Sequence, residues 1–233
     1  MHRDETPFPH PQSLVEDLQS RAWVLSFAKS GGRGAEFGVF RGHFAKVIAE
    51  TLRPKMLYLV DPWTKLGEKF EWGNDSLWTN RNSLTTLEAK EDCRLRMQFY
   101  LEAGAAELVE DTSLTFCTHL RAMGKTLDFV YVDSTHDFDG TLEELVAIDA
   151  ILSEDGVILG DDWNPDPALL HHGVFRAVHQ FIRTFDYEIV AAGQARQFCL
   201  RRSRFPSKEL SARGSKPAGR LWRQTGWKLP FRA

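Results

Sequence analysis

The residues whose types and spacing carry chemistry in this chain are Asp133, His136, Asp161 and Asp162. Asp133 closes the apolar run at 129–132, and the Asp161–Asp162 pair closes a second run at 157–159. Apolar runs that stop at carboxylates read as strand ends. In an open parallel α/β sheet, ligands collect outside the carboxyl ends of the strands, so acids placed there face a site rather than the core. Three carboxylates on adjacent strand ends make an oxygen-rich pocket suited to a hard divalent cation, Mg²⁺ first and Mn²⁺ second. His136 sits three residues beyond Asp133. An imidazole beside such a cluster titrates near neutrality and can take a proton from an acceptor hydroxyl. Structural roles compete with each assignment: Asp162 as a cap, Asp161 as an acceptor of backbone hydrogen bonds, His136 as a surface residue ahead of the next helix.

A second group lies nearer the N-terminus. Glu36 is followed by Gly38 and Gly42, and backbone without side chains there allows a nucleoside to approach closely. The spacing is not the GxGxxG dinucleotide fingerprint, so no pyrophosphate cradle is expected. A carboxylate at Glu36 suits a cationic group better than a phosphate. Asp61 directly follows the run at 56–60, where a carboxylate can accept both hydroxyls of a ribose. A turn alone also accounts for the glycines, and a strand-ending turn before Pro62 for Asp61.

These residues need a sheet to hold them. The pattern reads as a helix from Ser13, which with Glu16 forms a capping box, up to Gly31–Gly32. A strand at 35–39, a crossover helix at 44–52 and a strand at 56–60 complete a βαβ unit. Residues 62–83, rich in Trp, Gly and Asn (Trp63, Trp72, Trp78), show no clean period and are expected to form an irregular lid over the site, with the tryptophans as an acceptor wall or as packing. A helical pattern runs to about residue 103. A strand at 107–109, a helix at 114–122, the strand ending at Asp133, and a helix with Leu142, Leu145, Ile148, Ile151 and Leu152 on one face follow. Asp137 and Asp139 read as residues of that helix start. After Asp162 come a loop whose His171–His172 pair could enter the site but is rather expected to be solvated, a helix at 174–185, and two short strands at 187–191 and 197–201. The expected fold is therefore α/β: a Rossmann-like doubly wound sheet of about seven strands with an antiparallel edge strand and helices on both faces.

The glycine motif, Asp61, the DTS at 111–113, VYVDSTH and ILGDDW, in this order, resemble the class I S-adenosylmethionine-dependent methyltransferases over residues 34–200. More narrowly they are similar to the metal-dependent O-methyltransferases of the catechol and macrocin types. The resemblance implies that Glu36, Gly38 and Gly42 line the methionine moiety, that Asp61 binds the ribose, and that Asp111, Thr112 and Ser113 lie near adenine. It implies Asp133, Asp161 and Asp162 as metal ligands and His136 as catalytic base. Histidine stands where catechol enzymes use lysine, so the acceptor need not be a catechol. The implied activity is Mg²⁺-dependent or Mn²⁺-dependent transfer of a methyl group to a hydroxyl of a small molecule such as a sugar, polyol or natural product. A metal-independent methyltransferase and a silent binding module of the same fold are the alternatives.

Composition narrows the classes further. With 233 residues, 42% hydrophobic, the chain fills one sizeable core. The expected division is a helical extension over 1–30, a methyltransferase domain over 31–202 and a basic tail over 203–233. Three well-separated cysteines, Cys93, Cys117 and Cys199, form neither a disulfide framework nor a zinc spacing, which with no signal-peptide layout points to the cytoplasm. No apolar run is long enough to span a membrane. The net charge of −3 conceals an acidic body and a tail after residue 200 holding 10 of the 29 Lys and Arg with Glu209 as its single acid. An acidic body disfavours nucleic acid as substrate. The tail, with Trp222, Trp227 and Phe231, could touch nucleic acid, an anionic membrane surface or an acidic partner, and is rather expected to be a solvated, mostly disordered extension. The oligomeric state stays open to a homo-oligomer.

Overall fold

The backbone register of the central strands is what brings the acids together. In β1 (Arg33–Phe37), Phe37 pairs with Val60 of β2 (Met56–Val60) on one side and with Val132 of β4 (Leu127–Val132) on the other. Val132 pairs in turn with Gly160 of β5 (Leu152–Gly160). The next residue on each strand then donates its N–H across the same level: Gly38 to the Val60 carbonyl at 3.0 Å, Asp133 to Phe37 at 2.8 Å, Asp161 to Val132 at 3.0 Å. Asp61 does the same to Val109 of β3 (Ala106–Val109) at 3.1 Å. In-register parallel strands thus end together, and the residue after each end lies on one rim.

The computed structural model describes residue 16 and residues 18–203 other than 75. The expected capping box at Ser13 and the basic tail beyond residue 203 lie outside the described residues. The sheet has seven strands in the order β3-β2-β1-β4-β5-β7-β6, with β6 (Tyr187–Ala192) and β7 (Phe198–Arg202) completing it. The first five strands are parallel, and β7 is antiparallel to both β5 and β6. The expected antiparallel edge is present, with β7 inserted beside the edge strand β6. The chain order reverses at the β1/β4 junction, which is where open α/β sheets bind their ligands.

Alternation along the strands fills two cores. Phe129 and Tyr131 of β4 face one side with Leu57, Leu59, Phe44 and Ile48. Val130 and Val132 face the other with Phe37, Leu145, Ile148 and Phe181. The helices covering these faces are α1 (His43–Leu52), α2 (Thr86–Arg96), the short α3 (Gln98–Glu102), α4 (Ser113–Ala122), α5 (Phe138–Asp149) and α6 (His172–Thr184).

Local chemistry sets the boundaries. Strand β1 stops at Phe37 rather than 39, because Gly38 takes φ +82°, and a Cβ there would lie 1.9 Å from the Asp133 carbonyl oxygen. Gly42, at φ +74°, packs against Cys93 and starts α1. The helical stretch expected up to about residue 103 breaks at Met97 (φ −98°, ψ 5°) into α2 and α3. Strand β5 starts at Leu152, five residues before the apolar run. Asp137 caps α5 by accepting from Gly140 N at 2.9 Å, as its position suggested. The three cysteines are free and buried.

Candidate active site

The sheet delivers the acids to one place. One carboxylate oxygen each from Asp133, Asp161 and Asp162 lie within 4.8 Å of one another. Asp162 takes the left-handed region at φ +61°, which turns its side chain back over the strand ends instead of leaving it as a helix cap. His136 reaches it: Nδ1 is 2.9 Å from Asp162 Oδ2. Of the two readings of the His171–His172 loop, His171 follows the one that enters the site, against the favoured solvation. Its Nε2 is 4.0 Å from the same oxygen and its ring centroid is 4.4 Å from that of His136. His172 turns away, its Nδ1 2.8 Å from the Asn164 carbonyl.

Three residues that sequence reasoning did not flag complete the cluster. Arg21, just ahead of the short 3₁₀ helix Ala22–Phe27, bridges the sheet acids: its NH1 is 3.1 Å from Asp133 Oδ2 and closer still to Asp161 Oδ2. Gln197 donates from Nε2 to Asp161 Oδ1 at 2.5 Å and accepts from the Tyr131 hydroxyl at 2.8 Å. Arg196 NH1 lies 3.9 Å from Asp162 Oδ1. The only sequence signal for Arg21 is a cation inside an otherwise amphipathic segment.

Glu36, at the end of β1, is 2% exposed and its Oε2 has no hydrogen-bond partner. A buried carboxylate oxygen without a donor is costly unless a cationic ligand meets it. Asp61, also buried, accepts from Phe40 N at Oδ2 and Trp63 N at Oδ1, both at 2.8 Å. The Val39 N–H also acts on this carboxylate, which keeps acceptor capacity for a further donor. The glycine loop between them is pinned by the buried Arg41–Asp92 ion pair at 2.6 Å. At the other flank Asp111 pairs with Lys65 at 3.1 Å, Thr112 caps α4 by accepting from Thr115 N, and Ser113 donates to Glu144. These three side chains therefore have structural partners at the rim. The 62–83 segment is irregular as expected, with 3₁₀ turns at Trp63–Leu66 and Glu71–Gly73. Trp63 is buried and donates from its indole to the Phe40 carbonyl at 2.8 Å, so it is packing. Trp72 is half exposed and stands against the rings of Phe40 and Phe70.

Residues 35–163, more than half of the chain, match the family model described as a methyltransferase domain. The chain belongs to this methyltransferase family. Solved structures agree at the level of fold. The methyltransferase is similar to an O-methyltransferase of Bacillus cereus in complex with S-adenosylhomocysteine, at 13% identity and TM-score 0.54 over 83% of each chain. It is similar to a Podospora anserina methyltransferase with S-adenosylhomocysteine bound, at 15% identity and TM-score 0.52, over 83% of this chain and 88% of that one. Fibrillarin of Aeropyrum pernix with natively bound S-adenosyl-L-methionine gives 12% identity and TM-score 0.51, over 80% and 75% of the two chains. No curated protein matches the sequence.

In this methyltransferase, burial and mutual repulsion set the charges of the site. Burial, with the charge of Asp133, pushes Asp161 up to about 7, against the pull of Arg21. Burial also raises Asp133, with Arg21 and His136 opposing. Burial would raise Asp162 too, but the hydrogen bond and charge of His136 prevail and hold it low. Burial alone would lower His136; the hydrogen bond to Asp162 and the charges of Asp133, Asp162 and Asp161 raise it instead. Glu36 is pushed well up by burial, then by Asp133 and Asp61. Behind the loop carrying His136, the buried Glu144 accepts from the hydroxyls of Ser134 and Thr135 as well as Ser113. No helix among the described residues is long and apolar enough to cross a membrane.

Proposed function

We propose that this methyltransferase moves the methyl group of S-adenosylmethionine to a hydroxyl oxygen of a small acceptor, a sugar or polyol being the chemistry that suits the site. The observation carrying this reading is the His136–Asp162 pair at the end of β5, on the sheet whose β1 holds the buried, partnerless oxygen of Glu36.

Bound there, S-adenosylmethionine would supply an electrophilic methyl group on a sulfonium, with the neutral thioether as its leaving group. The chain's own residues do the rest. Glu36 offers its orphaned oxygen to the cofactor's ammonium, and Asp61 offers its remaining acceptor capacity to the ribose hydroxyls. Gly38 and Gly42 keep the intervening loop close to the sheet, and Asp111, Thr112 and Ser113 edge the adenine side. His136, its Nδ1–H directed at Asp162, is held in the tautomer that leaves Nε2 free to accept. It takes the acceptor's proton as the oxygen attacks carbon, and Asp162 stabilises the imidazolium that results. A side chain that is 39% exposed remains reachable by an incoming acceptor. The acidic body supports a small neutral or cationic acceptor over a nucleic acid.

Asp133, Asp161 and Asp162 have the all-oxygen donor set and the convergence of a Mg²⁺ or Mn²⁺ site. Two of the three are occupied by Arg21, so they fit a metal only with that side chain withdrawn, and no step above passes through one.

The test is transfer of labelled methyl from S-adenosylmethionine to a panel of polyhydroxylated acceptors by wild type and His136→Ala. Loss of general-base help lowers turnover by roughly 10²- to 10⁴-fold with S-adenosylhomocysteine binding kept. Transfer that is undiminished in His136→Ala contradicts the assignment.

A further inference from the structure

We propose that Arg21 is the resident cation of the carboxylate site, a guanidinium built into the chain where a divalent metal would sit, and that Arg21 and a metal exclude one another. The inference rests on reading the acidic rim as the acceptor end of a methyltransferase site, and deepens it.

The geometry carries it. A single nitrogen, NH1, contacts both Asp133 Oδ2 and Asp161 Oδ2, two of the three carboxylates whose oxygens converge within 4.8 Å. A metal bound to those oxygens at roughly 2.0–2.6 Å needs the space that NH1 fills. The remaining oxygen of Asp161 is taken by Gln197, which is itself buried and held by Tyr131. Asp161 therefore has both oxygens engaged with chain donors.

Nor is Arg21 a loose surface side chain. It is 8% exposed, and Asp161 is 3% exposed. The segment that carries it is anchored on both sides: Leu18 before it, and Val24 and Leu25 after it, are buried in the same core cluster as Tyr131. Trp23 ties the segment to the far side of the rim, donating from its indole to the Gln194 carbonyl at 3.0 Å. A planar guanidinium with its five donors is the side chain best matched to bridging carboxylates. The three carboxylates already face Arg21, His136 and Arg196.

The consequence is competition. A metal binds only the fraction of molecules in which Arg21 has left, and its apparent affinity is reduced by that fraction. The N-terminal segment and the metal then become alternative ways to neutralise one site.

Calorimetric titration of the full chain with Mn²⁺, wild type against Arg21→Gln, tests this, with Mn²⁺ electron paramagnetic resonance as a second reading of bound metal. The expected result is Mn²⁺ binding tightened about tenfold or more in Arg21→Gln and lost again when Asp161→Asn is added. Equal affinity in wild type and Arg21→Gln overturns the proposal, as does an Arg21→Gln protein that is folded by circular dichroism yet binds no Mn²⁺. If Arg21→Gln does not fold, Arg21→Lys replaces it. A lysine ammonium is a point charge on a flexible stem and bridges less well, so a smaller gain is expected and no gain overturns the idea. S-adenosylhomocysteine is titrated into the same samples. Its failure to bind would count against the methyltransferase site and leave the Mn²⁺ comparison intact.

Discussion

The Nδ1 of His136 stands 2.9 Å from Oδ2 of Asp162, joining the loop after β4 to the end of β5. The pair fixes the tautomer of the imidazole and the direction of its free nitrogen. It also couples two titrations, one raised and one lowered.

In metal-free protein, His136 is therefore expected to titrate above its ordinary value, and Asp162→Asn to bring that titration down, because a nearby negative charge vanishes and the hydrogen bond loses its ionised acceptor. Histidine ring proton shifts followed by NMR across pH read this directly. The sign for stability follows. The stabilisation from the pair is fully present below the unfolded histidine value and fades as pH rises through the raised value of His136. On the acid side it is lost as pH falls through the lowered value of Asp162. An unchanged histidine titration in Asp162→Asn would remove the pair from the account.

Glu36 is pushed well above the usual carboxylate range, first by burial. A raised carboxyl stabilises the folded state at low pH and weakens it progressively as pH rises from the ordinary value toward the raised one. Ligand-free Glu36→Gln is thus expected to melt higher than wild type at mildly alkaline pH. Binding a cofactor ammonium requires the ionised form, so S-adenosylhomocysteine binding below the raised value should release a proton. The variant should lose that release and about 1.5–3 kcal/mol of affinity, the worth of a charge-assisted hydrogen bond. Calorimetry in buffers of different ionisation heat measures both.

Gly38→Ala should cost several kcal/mol in denaturant unfolding. A left-handed conformation costs a non-glycine residue roughly 1–2 kcal/mol, and the new Cβ would also lie 1.9 Å from the Asp133 carbonyl oxygen. Gly31→Ala, at φ +72° with nothing within 4 Å, carries the conformational cost without the clash and serves as the comparison. Equal losses at the two positions would show that Gly38 answers to the backbone angle and not to the close approach of β4.

The strand ends were legible in the sequence because short continuous apolar runs stop at Asp61, at Asp133 and, after Gly160, at Asp161, and an in-register parallel sheet then has one place to put them. The glycine loop was legible in its residues but not in its cause: Gly38 is demanded by the Asp133 backbone and Gly42 by Cys93, contacts distant in sequence. His171 was legible as one of two readings of its loop, whereas Arg21 and Gln197 were not legible as site residues. Each reaches the rim through a contact many residues away, Arg21 across 112 positions and Gln197 across 36, and no local period records such a partner. The same holds for Glu144, which shares α5 with the apolar residues that gave the helix its stripe, yet accepts hydroxyls from the ends of two other segments.

Glu144→Leu is expected to cost about 3 kcal/mol, near 1 kcal/mol for each of three hydroxyls left without their acceptor, whereas Glu144→Gln, which keeps a carbonyl oxygen, should lose less. Because Ser134 and Thr135 lie on the His136 loop, hydrogen exchange at residues 134–136 should accelerate in Glu144→Leu ahead of global unfolding. Unchanged protection there would make Glu144 a core residue with no hold on the loop.

The central claim, a methyltransferase site built on Glu36 and Asp61 at the β1/β2 rim, is tested most directly by calorimetric titration of the full chain with S-adenosylhomocysteine, wild type beside Asp61→Asn, with folding of both checked by circular dichroism. The account predicts saturable binding at one site in wild type, weakened about tenfold or more in the variant as ribose hydroxyls lose a charged acceptor. No binding by folded wild type, or binding undiminished in folded Asp61→Asn, would contradict it.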